Sequence, residues 1–413
     1  MVNNVKKDYF WNTLGTSLFS FNSLFLMIVV TRLNSLPDAG IFSFAYATAG
    51  IINYFALYSG RTYQISNTNK KFTDSLFVMT RYLTVFFAVC ISIMFIVING
   101  YSVNKALVIL LLCIVKCIEA ISDVYYGILQ KNSRLYIAGK SMTYKSLISI
   151  LGFIVIDLFT KNLLISCLYL LIISICFLLI YDIYNTKRIK KLINDFQKVN
   201  IIGLLKASSY TFMFTLTVTV ILNLPRYFID FFLNDSDQAI YGIISMPATF
   251  VMLFSQFILQ PSLVSLTNHY KRREKIEFNK IVLTISSIIL GSMLIILPIA
   301  YFLGIPVLEI IYNVELSSYR IYLLLIILGS AFYAVSNVFL NALIVIQCNK
   351  EQLWIQILLL ALSGVSCFLL ISNYGIVGGM ISYFVIMFMQ FSLYLLLYFF
   401  KSRNVFRLKT DKL

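Results

Sequence analysis

The sequence is poor in charged residues. Only 12% of its 413 residues are Asp, Glu, Lys or Arg, whereas 60% are hydrophobic. Soluble domains average about a quarter charged residues. A soluble core cannot absorb this much apolar surface, so we expect the lipid bilayer to be the solvent. The length leaves no room for a sizeable soluble domain beside the membrane part.

Motifs for nucleotide, metal and covalent chemistry are also missing from the sequence. It contains no P-loop and no glycine-rich nucleotide motif. Its one histidine, His269, lies in a predicted solvated basic loop without a catalytic partner. The seven cysteines are odd in number, lie mostly in apolar runs and lack zinc spacing. We therefore expect no cofactor, no metal site, no disulfide framework and no hydrolysis of ATP.

Long apolar runs are what the sequence has instead. A helix needs about 20 apolar residues to cross a bilayer. The runs predict an all-α polytopic membrane protein with about twelve transmembrane helices. We place the spans near residues 11–33, 40–60, 76–98, 106–130, 141–160, 163–184, 204–233, 239–263, 281–303, 321–347, 353–372 and 376–400.

The basic residues predict the orientation of these spans. Net charge is +16, and with a cytoplasmic N-terminus the inner segments hold 25 of the 33 Lys and Arg residues. The outer segments hold four. Such a bias follows the positive-inside rule, so we expect both termini in the cytoplasm. The same pattern accounts for the positive net charge, so we do not expect nucleic acid as a partner.

A polar stretch near the middle predicts the domain organisation. Residues 185–200 place Ile189, Leu192, Ile193 and Phe196 at helical spacing against a basic face, which is typical of an amphipathic helix on the inner leaflet. A plain solvated linker is the alternative. Similar runs open spans 1 and 7, and two parallel lobes would produce this repeat. We predict six-helix lobes at 1–184 and 204–400, a linker at 185–203 and a basic tail at 401–413.

Span 4 carries three charges on one predicted helix face. Lys116, Glu119 and Asp123 are spaced i, i+3 and i+7. Charges inside a membrane usually mark a pathway, so this stripe predicts a polar wall that handles a charged substrate or a coupling ion. The alternative is a salt-bridged staple between helices.

Other charges lie inside or at the ends of spans 1, 2, 3, 5 and 7. Arg32, Arg61 and Arg81 are candidates for binding phosphate, because the guanidinium fork matches its oxygens. Snorkelling to headgroups is the alternative for the first two. We interpret Lys145 as an inner-leaflet anchor.

In span 7, Arg226 and Asp230 are i, i+4 neighbours beside Pro225, which can bend the helix. A bent helix with an arginine suits a moving cavity wall, and an interface anchor is the alternative. Glu119, Asp123 and Asp230 are the candidates for ion coupling. Asp123 is the first of these, because Lys116 opposes protonation of Glu119.

Several segments together resemble one family. GRTYQISN, IEAISDVYYGILQKNSRLYIAGKS and NLPRYFIDFFLNDSDQAIYGIISMPATF, with spans 1 and 2, are similar to the bacterial polysaccharide transporter family. These are the capsule and O-antigen repeat-unit flippases of the multidrug/oligosaccharidyl-lipid/polysaccharide exporter superfamily. The resemblance covers the whole chain in length, span number and motif order.

The resemblance implies two six-helix lobes around a central cavity and transport by alternating access. It implies undecaprenyl-pyrophosphate-linked oligosaccharide as substrate, and a polysaccharide polymerase and a chain-length regulator as partners. It also implies that five cationic residues face the cavity: Arg32, Arg61, Arg81, Lys116 and Arg226. Within the internal repeat, the position that matches Arg61 is Gln260, so the second lobe lacks that charge.

Three other functions compete with this one. A multidrug and toxin exporter of the same superfamily would favour an acidic cavity, whereas the membrane charges here are mainly basic. A major-facilitator transporter would carry a Gly/Asp/Arg turn that loop 2–3 lacks. A polysaccharide polymerase would usually have a large outer loop, and the longest predicted outer segment, Gly304 to Arg320, is small. We therefore expect a transporter rather than an enzyme.

Overall fold

The computed structural model describes residues 2–58, 60–66, 72–190 and 200–407, and in these ranges the chain is helical with short turns and no strand. The predicted all-α polytopic fold is confirmed. The first helices are α1 (Val2–Leu33), α2 (Leu36–Leu57), α3 (Gly60–Ser66), α4 (Asp74–Asn99), α5 (Val103–Lys131), α6 (Leu135–Thr160) and α7 (Leu163–Cys176). A π-helical turn, Phe177–Ile183, joins α7 to α8 (Tyr184–Ile189).

The remaining helices lie C-terminal to α8, after the stretch of residues that the structure does not describe there. They are α9 (Ile201–Phe232), α10 (Asp235–Lys271), α11 (Lys275–Ile299), α12 (Ile305–Tyr312), α13 (Arg320–Val345) and α14 (Asn349–Arg407). A π-helical turn, Ala300–Gly304, joins α11 to α12. Helix α9 continues through Pro225 without interruption.

Ten of the described helical segments are long and apolar enough to cross a membrane, so the chain is a multi-pass membrane protein. One of them, Asn349–Ser402, contains two arms, because Gly375 has non-helical angles of φ 59° and ψ −139°. Hydrogen bonds between Ser366 and Ser382 and between Gln356 and Tyr394 show that the arms are antiparallel. Helix α5 is long enough to span as well, although its three mid-helix charges make it too polar to count among the ten. The described helices thus reproduce the twelve predicted spans.

Polar caps fix where the helices begin. Ser35 and Asp38 form a reciprocal capping box at the start of α2, and Pro37 takes a position in its first turn. Thr73, Asn162 and Asn234 cap α4, α7 and α10 through their side-chain oxygens. Each cap satisfies backbone N–H groups that have no partner inside the helix. The capping residues in the turns therefore fix where these helices begin, and with that the positions of the intramembrane charges along them.

The chain divides into two compact units, Met1–Thr219 and Val220–Leu413, with the division inside α9. In the first unit α5 is central, because α2, α3, α4, α6 and α7 all pack against it. In the second unit α13 is central and packs against α10, α11 and α14. Both central helices are the fourth span of their half of the chain.

Some sequence expectations need correction. The outer segment predicted at Gly304 to Arg320 is helical as far as Tyr312, so the connection is shorter than expected. The basic turn predicted around His269 contains only the residues between Lys271 and Lys275, and His269 Nδ1 contacts the Glu274 carboxylate. Most of the predicted amphipathic linker, residues 191–199, lies outside the described residues, as do residues 408–413 of the predicted tail.

Candidate functional site

Helix α5 brings the charged residues of the first unit together. Its apolar side chains Ile121, Val124, Tyr125 and Ile128 pack in a buried cluster with Phe72 and Leu178. Packing of these side chains fixes the rotation of the helix. The stripe of Lys116, Glu119 and Asp123 then has a set position among its neighbours. The structure divides this stripe between two ion-pair networks.

The first network joins α3, α4 and α5. Asp123 Oδ1 lies 3.7 Å from Arg61 Nε, and Asp123 Oδ2 lies 3.8 Å from a terminal nitrogen of Arg81. Arg81 is buried, and it also donates to the carbonyl of Ala56 at 3.4 Å. That carbonyl belongs to the last turn of α2, where unpaired carbonyls and the helix dipole favour a cation. Three elements thus converge on one carboxylate.

This network contains hydrogen-bonding groups that have no partner within it. Charge-assisted hydrogen bonds between a cation and an anion are usually about 2.7–2.9 Å long. Both arginine–Asp123 distances are about 1 Å longer than that range. One terminal nitrogen of Arg61 and Asp123 Oδ2 are buried without a hydrogen-bond partner. A guanidinium with a free donor beside a second guanidinium can bind a phosphate, because each offers a planar pair of N–H groups.

The second network joins α1, α5 and α6, and Lys116 also lies over the ring of Tyr46 of α2, 4.8 Å from its centroid. Glu119 accepts from Lys116 at 2.7 Å and lies 3.9 Å from Lys145 Nζ. Both ammonium groups also lie over the ring of Phe19, at 5.1 and 5.4 Å from its centroid. Aromatic faces and one carboxylate therefore replace water around two buried cations. A cavity of about 10 Å³ adjoins Lys116 and Glu119, which is near the lower limit for one water molecule.

The interpretation of Lys145 as an inner-leaflet anchor is wrong. Its side chain is only 4% exposed and pairs with Glu119 inside the unit. The sequence placed this lysine near the start of span 5, where snorkelling is common. Its neighbours on α1 and α5 come from distant parts of the chain, so the pairing could not be foreseen.

Sequence reasoning also missed a buried acid near the second network. Asp182 lies in the π-helical turn after α7 and is fully buried. It contacts Tyr126 of α5 and Ser141 of α6. The available signal was an acid inside the apolar run 163–184, since intramembrane acids are functional candidates by default. Asp157 is a second such acid, and it accepts from Asn34 and Ser166.

In the second unit, Arg226 donates to Ser245 Oγ at 3.1 Å and lies over the ring of Tyr241 at 5.6 Å. Asp230 is half-buried one turn further along α9. Arg32 is exposed in the last turn of α1. Among the predicted residues, the structure thus brings together Arg61, Arg81 and Asp123, and separately Lys116 and Glu119.

Comparisons with known proteins identify similar chains. No family model matches the sequence. The chain is 26% identical over 387 residues to the capsular polysaccharide biosynthesis protein CapF of Staphylococcus aureus, covering 90% of this chain and 94% of CapF. Two solved structures share its fold at 15% identity. The lipid II flippase MurJ has a TM-score of 0.71 over 96% of this chain and 87% of MurJ. The Vibrio cholerae MATE transporter VcmN has a TM-score of 0.65 over 98% and 99% of the two chains.

These similarities run along nearly the full length of the chain. Other structures with the same fold are described as transporters of the multidrug/oligosaccharidyl-lipid/polysaccharide exporter superfamily. The resemblance inferred from the sequence is confirmed: the chain has the fold of that superfamily and is similar along most of its length to a capsular polysaccharide biosynthesis protein.

Proposed function

We propose that the chain is a flippase for undecaprenyl-pyrophosphate-linked oligosaccharides. It moves repeat units across the cytoplasmic membrane of a bacterium by alternating access, in the biosynthesis of capsule or another surface polysaccharide. A polysaccharide polymerase and a chain-length regulator would act on the units that it delivers. The similarity to CapF over 90% of the chain supports the process.

The convergence of Arg61 and Arg81 on Asp123 is the observation that carries this proposal. Both arginines belong to a membrane unit, and one of them retains a buried donor without a hydrogen-bond partner. The arrangement matches a pyrophosphate, which offers several anionic oxygens within a few ångströms of one another. Binding would exchange long contacts to Asp123 for short charge-assisted hydrogen bonds to phosphate.

Physical chemistry explains why such a site is needed. A pyrophosphate with its sugars cannot enter hydrocarbon without strong compensation for the water that it loses. Fixed guanidinium and ammonium groups supply that compensation, while the polyprenyl chain can stay in the bilayer. No covalent bond is made or broken in such a step, so the proposed activity is transport rather than catalysis.

A multidrug exporter with the fold of the MATE transporters is the second candidate, because VcmN covers 98% of this chain. Exporters of cationic drugs need unpaired carboxylates to attract them. Here Asp123 and Glu119 each face two cations. The charge of both networks therefore favours an anionic substrate.

Substitution of the two arginines tests the proposal. We expect Arg61→Ala and Arg81→Ala each to weaken binding of a short-chain polyprenyl diphosphate by about tenfold or more, since a hydrogen bond to a charged group contributes about 1.5–3 kcal/mol. Arg81→Lys should restore binding only in part, because lysine lacks the planar fork. The measurements are the dissociation constant of the purified protein in lipid nanodiscs and polymer export by complemented cells.

Arg134→Ala is the matched control, because Arg134 is exposed and contacts Tyr136 only at 3.5 Å. It should bind and export like the wild type. Normal diphosphate binding by both alanine variants, with efflux of a cationic dye by the wild type, would support the multidrug exporter instead.

A further inference from the structure

The buried carboxyl group of Asp182 takes no part in the proposed phosphate site of Arg61 and Arg81. It lies in the π-helical turn Phe177–Ile183, and such turns often occur at functional sites. Tyr126, Ser141 and Asp182 form a triangle of hydrogen-bonding groups, and all three side chains are buried. The number of hydrogens that these groups can donate indicates the protonation state of the carboxyl group.

Three contacts connect the three groups. Ser141 Oγ lies 2.6 Å from Asp182 Oδ1, and Tyr126 OH lies 3.2 Å from Asp182 Oδ2. Tyr126 OH and Ser141 Oγ lie 3.0 Å from each other. An ionised carboxylate only accepts, so the two hydroxyl groups would supply two hydrogens for three contacts. A protonated carboxyl supplies the third hydrogen, and every contact then becomes a hydrogen bond. The geometry therefore suits the protonated form.

Burial acts in the same direction, because an ionised carboxylate without a paired cation is costly inside a protein. Among the described residues, Asp182 forms no ion pair within 4 Å. The 2.6 Å contact from Ser141 leaves no space for a metal ion between these oxygens. A proton is the ligand that fits the triangle.

An opposing influence favours release of the proton from this carboxyl group. Lys145 of α6, one helical turn beyond Ser141 on the same face, favours the ionised carboxylate of Asp182, and so does the hydroxyl of Ser122 on α5. The other ionisable groups near the triangle are Tyr126 and Glu119 of α5 and Tyr181 of the same turn, whereas Lys187 and Arg188 of α8 are exposed. A nearby ammonium favours the ionised carboxylate. Burial and the nearby ammonium thus act in opposite directions on the protonation of Asp182.

The protonation state of Asp182 changes the charge next to the second ion-pair network. With Asp182 ionised, Lys145 is near a second carboxylate besides Glu119. With Asp182 protonated, Lys116 and Lys145 face Glu119 alone, and the cluster gains one positive charge. A more positive cluster attracts an anion more strongly.

We propose that Asp182 is a proton-binding site, and that loading it strengthens the binding of an anionic substrate to the first unit. The second half of this inference rests on the proposed function. Linkage requires the effect to be reciprocal, so substrate binding should also promote proton uptake at Asp182. This assigns the coupling role to Asp182 instead of Asp123, which is already paired with two arginines.

Infrared spectroscopy tests the proton site without any substrate. In pH-difference spectra of the purified protein in lipid nanodiscs, we expect a protonated-carboxyl signal that Asp182→Asn lacks. Asp157→Asn is the matched control, because Asp157 is also buried but makes only two such contacts, which Asn34 and Ser166 satisfy with their own hydrogens. It should retain the signal. An unchanged signal in Asp182→Asn would overturn the proposal.

A second variant tests the direction in which the protonation of Asp182 shifts. Lys145→Met removes the ammonium that favours the ionised form, so the signal should persist to higher pH than in the wild type. Persistence to the same pH or a lower one would contradict the assigned balance. This result does not depend on how well the Asn variant folds.

Binding of a short-chain polyprenyl diphosphate tests the coupling. Because the diphosphate itself titrates, the wild type is compared with Asp182→Asn at each pH. We expect wild-type affinity to fall by up to about tenfold per pH unit relative to the variant, which is the limit for one linked proton. Equal pH profiles would overturn the coupling. Failure of the wild type to bind at any pH would count against the proposed function, and the infrared result would then decide the proton site alone.

Discussion

Glu119 shows how strongly single residues depend on one another in the first unit. It compensates two buried ammonium groups, on α5 and on α6. Removing one partner of a buried ion pair leaves an uncompensated charge, which costs about 3–5 kcal/mol. We therefore expect Glu119→Gln to lower the melting temperature of the detergent-solubilised protein clearly.

Glu277→Gln is the matched control for that measurement. Glu277 also faces a lysine, Lys280 at 3.9 Å, but both side chains are more than half exposed. Exposed pairs of this kind contribute about 0–1 kcal/mol. Equal melting temperatures for the two variants would mean that Glu119 does not compensate the charge of the two buried lysines.

The sequence predicted the chemistry of single residues better than their partners. The spacing of Lys116 and Glu119 within one helix correctly indicated a pair, since i and i+3 side chains are neighbours on a helix. The contacts of Asp123 with Arg61 and Arg81, and of Glu119 with Lys145, join different helices. Such contacts depend on helix rotation and tilt, which no local pattern specifies. The π-helical turn at Asp182 likewise has no sequence signature.

At the scale of elements, the two central helices differ in the chemistry of their buried groups. Helix α5 carries charges, whereas α13 presents hydroxyl groups. Ser330 contacts Tyr383, and Ser336 accepts from Gln390. The intramembrane charges named from the sequence all lie in the first seven spans, which predicted this difference. Neutral groups can satisfy one another when buried, so these contacts of α13 need no counter-ion.

Helices α1 and α6 approach each other closely through two glycines. A Cβ atom on Gly15 would collide with the carbonyl oxygen of Gly139, and one on Gly139 would collide with the backbone of Trp11. Small residues at a helix crossing permit this contact in membranes. The sequence alone did not reveal the crossing, because residues 15 and 139 are far apart in the chain.

We expect Gly139→Ala to destabilise the protein by about 1–3 kcal/mol, since the added methyl group forces two backbones apart. Gly291→Ala is the control, because nothing lies within 4 Å of a Cβ at that exposed position of α11. Alanine is the better helix former, so this control should match or slightly exceed wild-type stability. Thermal unfolding in one detergent measures both, and equal loss in the two variants would exclude the close crossing as the cause.

At the scale of the whole molecule, composition predicted the class and the number of spans, because hydrophobic length is a local property of the sequence. The boundaries shifted where polar residues continue a helix, as at Val2–Leu33 and Asp235–Lys271. The orientation in the membrane is still a prediction from the positive-inside rule. It requires the two ends of α6 to lie on opposite sides, with Asn132 inside and Thr160 outside.

Labelling of single cysteines tests this orientation in intact cells. Asn132 and Thr160 are both exposed at the turns that flank α6. In a background with the exposed Cys90 replaced by serine, a membrane-impermeant thiol reagent should modify Thr160→Cys directly. It should modify Asn132→Cys only after the cells are opened. The opposite pattern would place the Arg61–Arg81–Asp123 network nearer the outer face, because Asp123 lies closer to the Asn132 end of α5 than to its other end. A flippase loading its substrate from the cytoplasm requires that network on the inner side, so the labelling pattern bears on the proposed function as well as on topology.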